Sequence, residues 1–182
     1  KLEKDSFIRI AQRIKDGNKK FGVATDDQGA IDFLETLDVA FYKVLSKDID
    51  NVPLINKLVD DTSKKIFIST GMSDSNEISV FLEHVKHVKD RFTFVHTQLT
   101  HDVTGVNLKA MDTLREMSEL SVAFGMHCED LNVLYLSLAF QPSDIFFYVK
   151  GDRPGEHPDE KHAVSWEHFQ EVVENLLALP RS

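Results

Sequence analysis

The 182-residue chain contains a single cysteine, Cys128. An intrachain disulfide is therefore impossible, and cysteine-rich zinc motifs are excluded. One thiol suits a reducing compartment, so a cytoplasmic location is expected. No apolar run reaches membrane-spanning length, and no signal peptide is readable, so no membrane partner is expected. Basic residues are in deficit, 21 against 30 acidic, for a net charge of −9. That field repels nucleic acid and anionic membranes, so no nucleic-acid partner is expected either. No strand-like run is followed by a glycine-rich dinucleotide turn. The chain begins at Lys1 without a methionine, and a fragment or a processed chain is expected.

What is present is alternation of two periods. Apolar residues at three- and four-residue spacing predict helices over 4–16, 28–37, 53–60, 75–88, 108–117, 131–140 and 166–177. Gly17 is placed to stop the first. Asp74 followed by Glu77 predicts a capping box for the fourth, and Pro53 suits a first helical turn. Between them lie short β-rich runs at 21–24, 39–45, 66–69, 92–96, 120–124 and 145–149. Most are nearly continuous in apolar residues, as strands covered on both faces are. Strict βα repetition predicts a parallel α/β fold. Six strands suit an open sheet. A closed (β/α)8 barrel takes eight strands and typically about 250 residues, so two βα units would be missing from this polypeptide.

In either architecture the functional groups collect at the C-terminal ends of the parallel strands. These ends carry Thr25, Asp26 and Asp27; Lys43, Ser46, Lys47 and Asp48; Ser69, Thr70 and Gly71; His96, Thr97, Gln98 and His101; His127, Cys128 and Glu129; and Lys150, Asp152 and Arg153. Lys43 lies inside a strand and shares a face with Phe41 and Leu45 by alternation. An inward lysine needs an anion or a reactive carbonyl partner; a lysine on the helix-facing side would snorkel outward. Ser69-Thr70-Gly71 could cradle an anion through hydroxyls and amides, or simply turn the chain into the next helix. His127 could be a metal ligand or a hydrogen-bonded rim histidine. The long polar loop GDRPGEHPDEKHAVS holds His157, Asp159 and His162, which either complete a site or are solvated. Glu83, His84, Lys86 and His87 read as a solvated helix face.

In this order the residues resemble the sialic acid synthase family, enzymes that condense phosphoenolpyruvate with N-acetylmannosamine-type sugars. YKVLSKD with DNVPLI, and KIFISTGM, are specific in combination. FTFVHTQLTHD, VNLKAMDTL, VAFGMHC and DRPGEHPDEKHAVS are partial matches. The resemblance implies an aldolase-type (β/α)8 TIM barrel, of which this chain would hold about six βα units, strands three to eight. It implies one partial barrel domain over 1–182, without the family's C-terminal antifreeze-like domain, and a homodimer. It places Thr25, Lys43, Ser46 and Ser69 on the phosphoenolpyruvate. It makes His127 a ligand to a divalent metal, manganese or magnesium, and matches Asp159 to a catalytic aspartate.

The departures fall in the metal and acid–base half. The family's EKH or ERH becomes apolar DIFFYVK, and its second metal histidine maps to Phe146 or Tyr148. Gly125 and Met126 replace a serine and an aspartate, and Leu99 and His101 an asparagine and a tyrosine. Two readings follow: a divergent sugar-acid synthase of carbohydrate or polysaccharide biosynthesis, or an inactive homologue that keeps an anion pocket as a binding module. A Schiff-base aldolase using Lys43 is a third.

Overall fold

The computed structural model describes residues 3–152 and 159–179. Arg153 and His157, both singled out above, lie outside the described residues. The chain folds as two compact units, one built of residues 1–69 and 73–93, the other of 70–72 and 94–182.

The first unit opens with helix α1 (Lys4–Asp16), followed by β1 (Gly22–Ala24), α2 (Ile31–Glu35), β2 (Phe41–Val44), α3 (Val52–Asp61), β3 (Lys65–Ser69) and α4 (Ser75–Val85). The order β1-β2-β3 is parallel, with Ala24, Lys43 and Phe67 in register across the three strands. Parallel strands need crossover helices, and the short helices between the apolar runs supply them. On β2, Tyr42 and Val44 are fully buried while Phe41 and Lys43 are half-buried. Lys43 therefore occupies the more open face of the strand, the face it shares with Phe41. Phe41 packs edge-on against Phe67, with centroids 5.3 Å apart, and its ring covers Gly22 so closely that no Cβ would fit there.

Local signals set the helix ends. Asp74 accepts from the backbone of Asn76 and Glu77, and the Glu77 carboxylate accepts from Asp74 N, the reciprocal pattern predicted from spacing. The Asn51 side chain caps α3 by accepting from Leu54 N. At the far end of α3, the Arg91 guanidinium donates to the carbonyls of Leu58, Val59 and Lys64 and to the Thr62 hydroxyl. A cation there meets the orphan carbonyls and the negative end of the helix dipole.

Strand β4 (Phe92–Thr97) leads into the second unit, which adds α5 (Ala110–Ser118), β5 (Ser121–Gly125), α6 (Asn132–Leu136), β6 (Ile145–Phe146), β7 (Val149–Lys150), β8 (Val164–Ser165) and α7 (Trp166–Ala178). Strand order again follows chain order, β4-β5-β6, and β5 and β6 are parallel. Strands β7 and β8 form a separate parallel pair.

Three expectations change here. The run at 145–149 is not one strand: Ile145 and Phe146 pair with β5, whereas Val149, together with Lys150 beyond the run, pairs with β8. Continuous hydrophobicity reports burial, not pairing partner. The loop before the last helix contains β8, two residues too short to stand out in a sequence. The predicted helices at 28–37 and 131–140 are each part α-helix and part 3-10 turn. Among the described residues, no helix is long and apolar enough to cross a membrane.

Candidate active site

In the first unit the predicted anion-binding residues fall at the C-terminal ends of three neighbouring parallel strands. Thr25 follows β1, and its amide donates to the Lys43 carbonyl (3.1 Å). Its hydroxyl accepts from Asp27 N at 3.2 Å, which closes a tight turn. The residue is buried and lines a cavity of about 410 Å³ with Lys4, Phe7, Asp26, Asp27 and Phe33. Ser46 starts the turn after β2. Lys47, beside it, is exposed and ion-paired with Asp26 (3.0 Å) and Asp48 (3.2 Å). Burial pushes the Lys43 amine below its ordinary pKa. Ser69 ends β3 at 1% exposure, and its hydroxyl has no hydrogen-bond partner among the described residues. A buried hydroxyl without a partner carries a desolvation cost that an anion could remove. The two hydroxyls of STGM thus differ, because Thr70 bonds the Val95 carbonyl through both its amide and its side chain.

The second unit gathers histidines. His127 follows β5, where Met126 N donates to the Phe146 carbonyl and holds the strand end in place. His162 precedes β8, where Val164 N donates to the Tyr148 carbonyl at 2.8 Å. Lys150 ties the intervening loop to β7 by pairing with the carbonyl and carboxylate of Glu160. The result brings His127, Asp159 and His162 together, with one potential ligand atom from each within 4.8 Å of the others. The His127 and His162 rings lie 4.8 Å apart. His162 Nε2 is 3.4 Å from Asp159 Oδ1.

The electrostatics favour a ligand rather than a charged histidine. His162 is 4% exposed, and neither ring nitrogen makes a hydrogen bond among the described residues. Burial, more than any other influence, lowers its pKa; His101 acts in the same direction, while Asp159 and Glu129 oppose. A neutral imidazole with unsatisfied nitrogens beside a second imidazole and a carboxylate fits a divalent cation. His101 stacks on His162 at 5.1 Å, and its Nδ1 lies 3.0 Å from the His127 carbonyl. A carbonyl only accepts, so that contact assigns the proton to Nδ1. Tyr148 closes the cluster, its ring perpendicular to His162 at 4.8 Å and its hydroxyl 3.5 Å from His127 Nε2. Burial, and then the Asp159 charge, raise its pKa.

The structure therefore brings Asp159 and His162 from the polar loop to His127. The readable signal was an aspartate and a histidine three residues apart in a loop too long for a plain connection. In the sequence, Tyr148 stands out only as one of two positions where the resembled family has a histidine. His84 is exposed and pairs with Asn56 (2.7 Å), in keeping with a solvated face.

Comparison with known proteins supplies the context. The chain is 30% identical over 159 residues to the N,N'-diacetyllegionaminic acid synthase of Legionella pneumophila, a match covering 82% of this chain and 44% of that protein. It is 22% identical over 184 residues to the human N-acetylneuraminate-9-phosphate synthase, covering 98% of this chain and 50% of the relative. The chain thus spans about half the length of the curated relatives it matches. A crystal structure of N-acetylneuraminic acid (sialic acid) synthetase from Leptospira borgpetersenii superposes with a TM-score of 0.88 at 21% identity, over 97% of this chain and 62% of that one. That likeness shows the fold, an α/β, TIM-barrel-like architecture. The model of the NeuB family matches residues 1–181, and the chain belongs to that family.

Proposed function

We propose that this chain carries the phosphoenolpyruvate and metal sites of a synthase that condenses phosphoenolpyruvate with an N-acetylmannosamine-type aldehyde sugar, in nonulosonic acid or surface-polysaccharide biosynthesis. In this reading its six strands are strands three to eight of an eight-stranded barrel, and 1–182 is one partial barrel domain. The enzyme would be cytoplasmic and homodimeric. The observation that carries the catalytic reading is the His127–Asp159–His162 cluster. The sequence lacks a second histidine where the family has one, and His162 supplies an imidazole from another element.

Lys43 gives the positive charge for the phosphate or carboxylate of phosphoenolpyruvate. The Ser69 hydroxyl, together with Thr25 and Ser46 at neighbouring strand ends, donates hydrogen bonds and fixes orientation. The alkene carbon of phosphoenolpyruvate bonds to the sugar aldehyde carbon, and the aldehyde oxygen takes a proton. Water then adds at the cationic carbon, and phosphate leaves. His127, His162 and Asp159 would hold a divalent cation, manganese or magnesium, which when bound polarises the aldehyde as a Lewis acid. Asp159, the carboxylate of the cluster, is the candidate proton carrier.

The test is calorimetric titration of phosphoenolpyruvate with and without Mn²⁺. Binding that strengthens with metal and is lost in Lys43→Ala supports the reading. Metal-independent binding would favour the inactive homologue, a reading motivated by the apolar Phe146 and Phe147. Absence of binding would remove the assignment of Lys43 and Ser69.

A further inference from the structure

The geometry points to Tyr148 as a fourth donor to the cation held by His127, Asp159 and His162. This inference rests on the metal reading above.

Donors about 2.0–2.2 Å from one cation lie roughly 2.8–3.6 Å from one another, the lower end at octahedral and the upper end at tetrahedral angles. The cluster contains two separations of that size. His162 Nε2 to Asp159 Oδ1 is 3.4 Å, and Tyr148 Oη to His127 Nε2 is 3.5 Å. Neither is a good hydrogen bond: the first does not form one, and the second is long for an O–H···N contact. Both have the spacing of groups that converge on a shared point. The Tyr148 ring is wedged against both imidazoles, at 64° to His127 and 88° to His162. Its main chain is fixed where its carbonyl accepts from Val164 N. The phenol is therefore placed by the same pairing that delivers His162. On coordination the phenolic proton leaves to solvent, and the oxygen becomes an anionic donor.

The chain has three tyrosines. Tyr42 is fully buried and donates to Glu35 at 2.7 Å, and Tyr135, half-exposed on α6, is distinguished from Tyr148 by the Tyr148→Phe variant. The experiment loads the metal-free full chain with Fe³⁺, whose phenolate complexes absorb in the visible by charge transfer, and separately with Co²⁺. The wild type is expected to show the charge-transfer band. Tyr148→Phe is expected to lack it while still binding Co²⁺, about tenfold more weakly. Co²⁺ binding by the wild type without an Fe³⁺ band, or an unchanged band in Tyr148→Phe, overturns the role of Tyr148 and leaves the three-residue metal site standing. Failure of the wild type to bind either ion overturns both.

Discussion

The imidazoles of His127 and His162 lie with centroids 4.8 Å apart and planes tilted by 40°, one delivered by the end of β5 and the other by the approach to β8. Their meeting depends on a strand of two residues. If β8 slipped by one residue, successive side chains would exchange faces, and His162 would leave the cluster. Substituting Val164 by proline removes the amide that donates to Tyr148. Metal affinity in Val164→Pro is expected to fall at least tenfold, measured by Co²⁺ titration, while the far-ultraviolet circular dichroism of the remaining helices persists. Undiminished affinity would show that the loop holds His162 without β8.

Arg91 terminates α3 with donations to three carbonyls and a hydroxyl. Arg91→Ala leaves those acceptors without their cation and should destabilise the fold by about 2 kcal/mol. Urea unfolding measures this, and Arg91→Lys, a point charge without the planar fork, should recover only part of the loss.

Asp74→Ala removes the side chain that accepts from two amides at the start of α4. The expected cost is about 1 kcal/mol, read as a shift in the urea midpoint with an unchanged m-value.

Buried His96 makes stability depend on pH. Burial lowers its pKa against an opposing backbone hydrogen bond involving Asn107. In the unfolded chain it titrates near about 6.5, and in the fold below that. Between the two values the unfolded state binds more protons. Stability is therefore full above the unfolded value and is lost as pH falls toward the folded one, by at most about 1.4 kcal/mol per pH unit. The melting temperature of metal-free protein should drop between pH 7.5 and 5.5, and drop less in His96→Gln. Equal drops would assign the dependence to other groups, among them His162, whose shift has the same sign.

The fold was legible wherever one physical rule acted alone. Helix α1 has the predicted bounds because its apolar spacing is regular, and the Asp74–Glu77 box formed because capping is local. Lys43 lies on the half-open face of β2, as its alternation with Tyr42 and Val44 requires. The interruption after Phe146 was not legible, since a run of apolar residues does not say that its pairing partner changes. His162 was recognisable as a candidate but not as a neighbour of His127. That contact is made by tertiary pairing of two short strands, which leaves almost no trace in composition or period.

The metal cluster is tested most directly by electron paramagnetic resonance of Mn²⁺ added to the metal-free chain, comparing wild type with His162→Ala. The account predicts about one equivalent bound by the wild type, with affinity reduced roughly a hundredfold in the variant. Unchanged binding in His162→Ala, or no binding by the wild type, would contradict it.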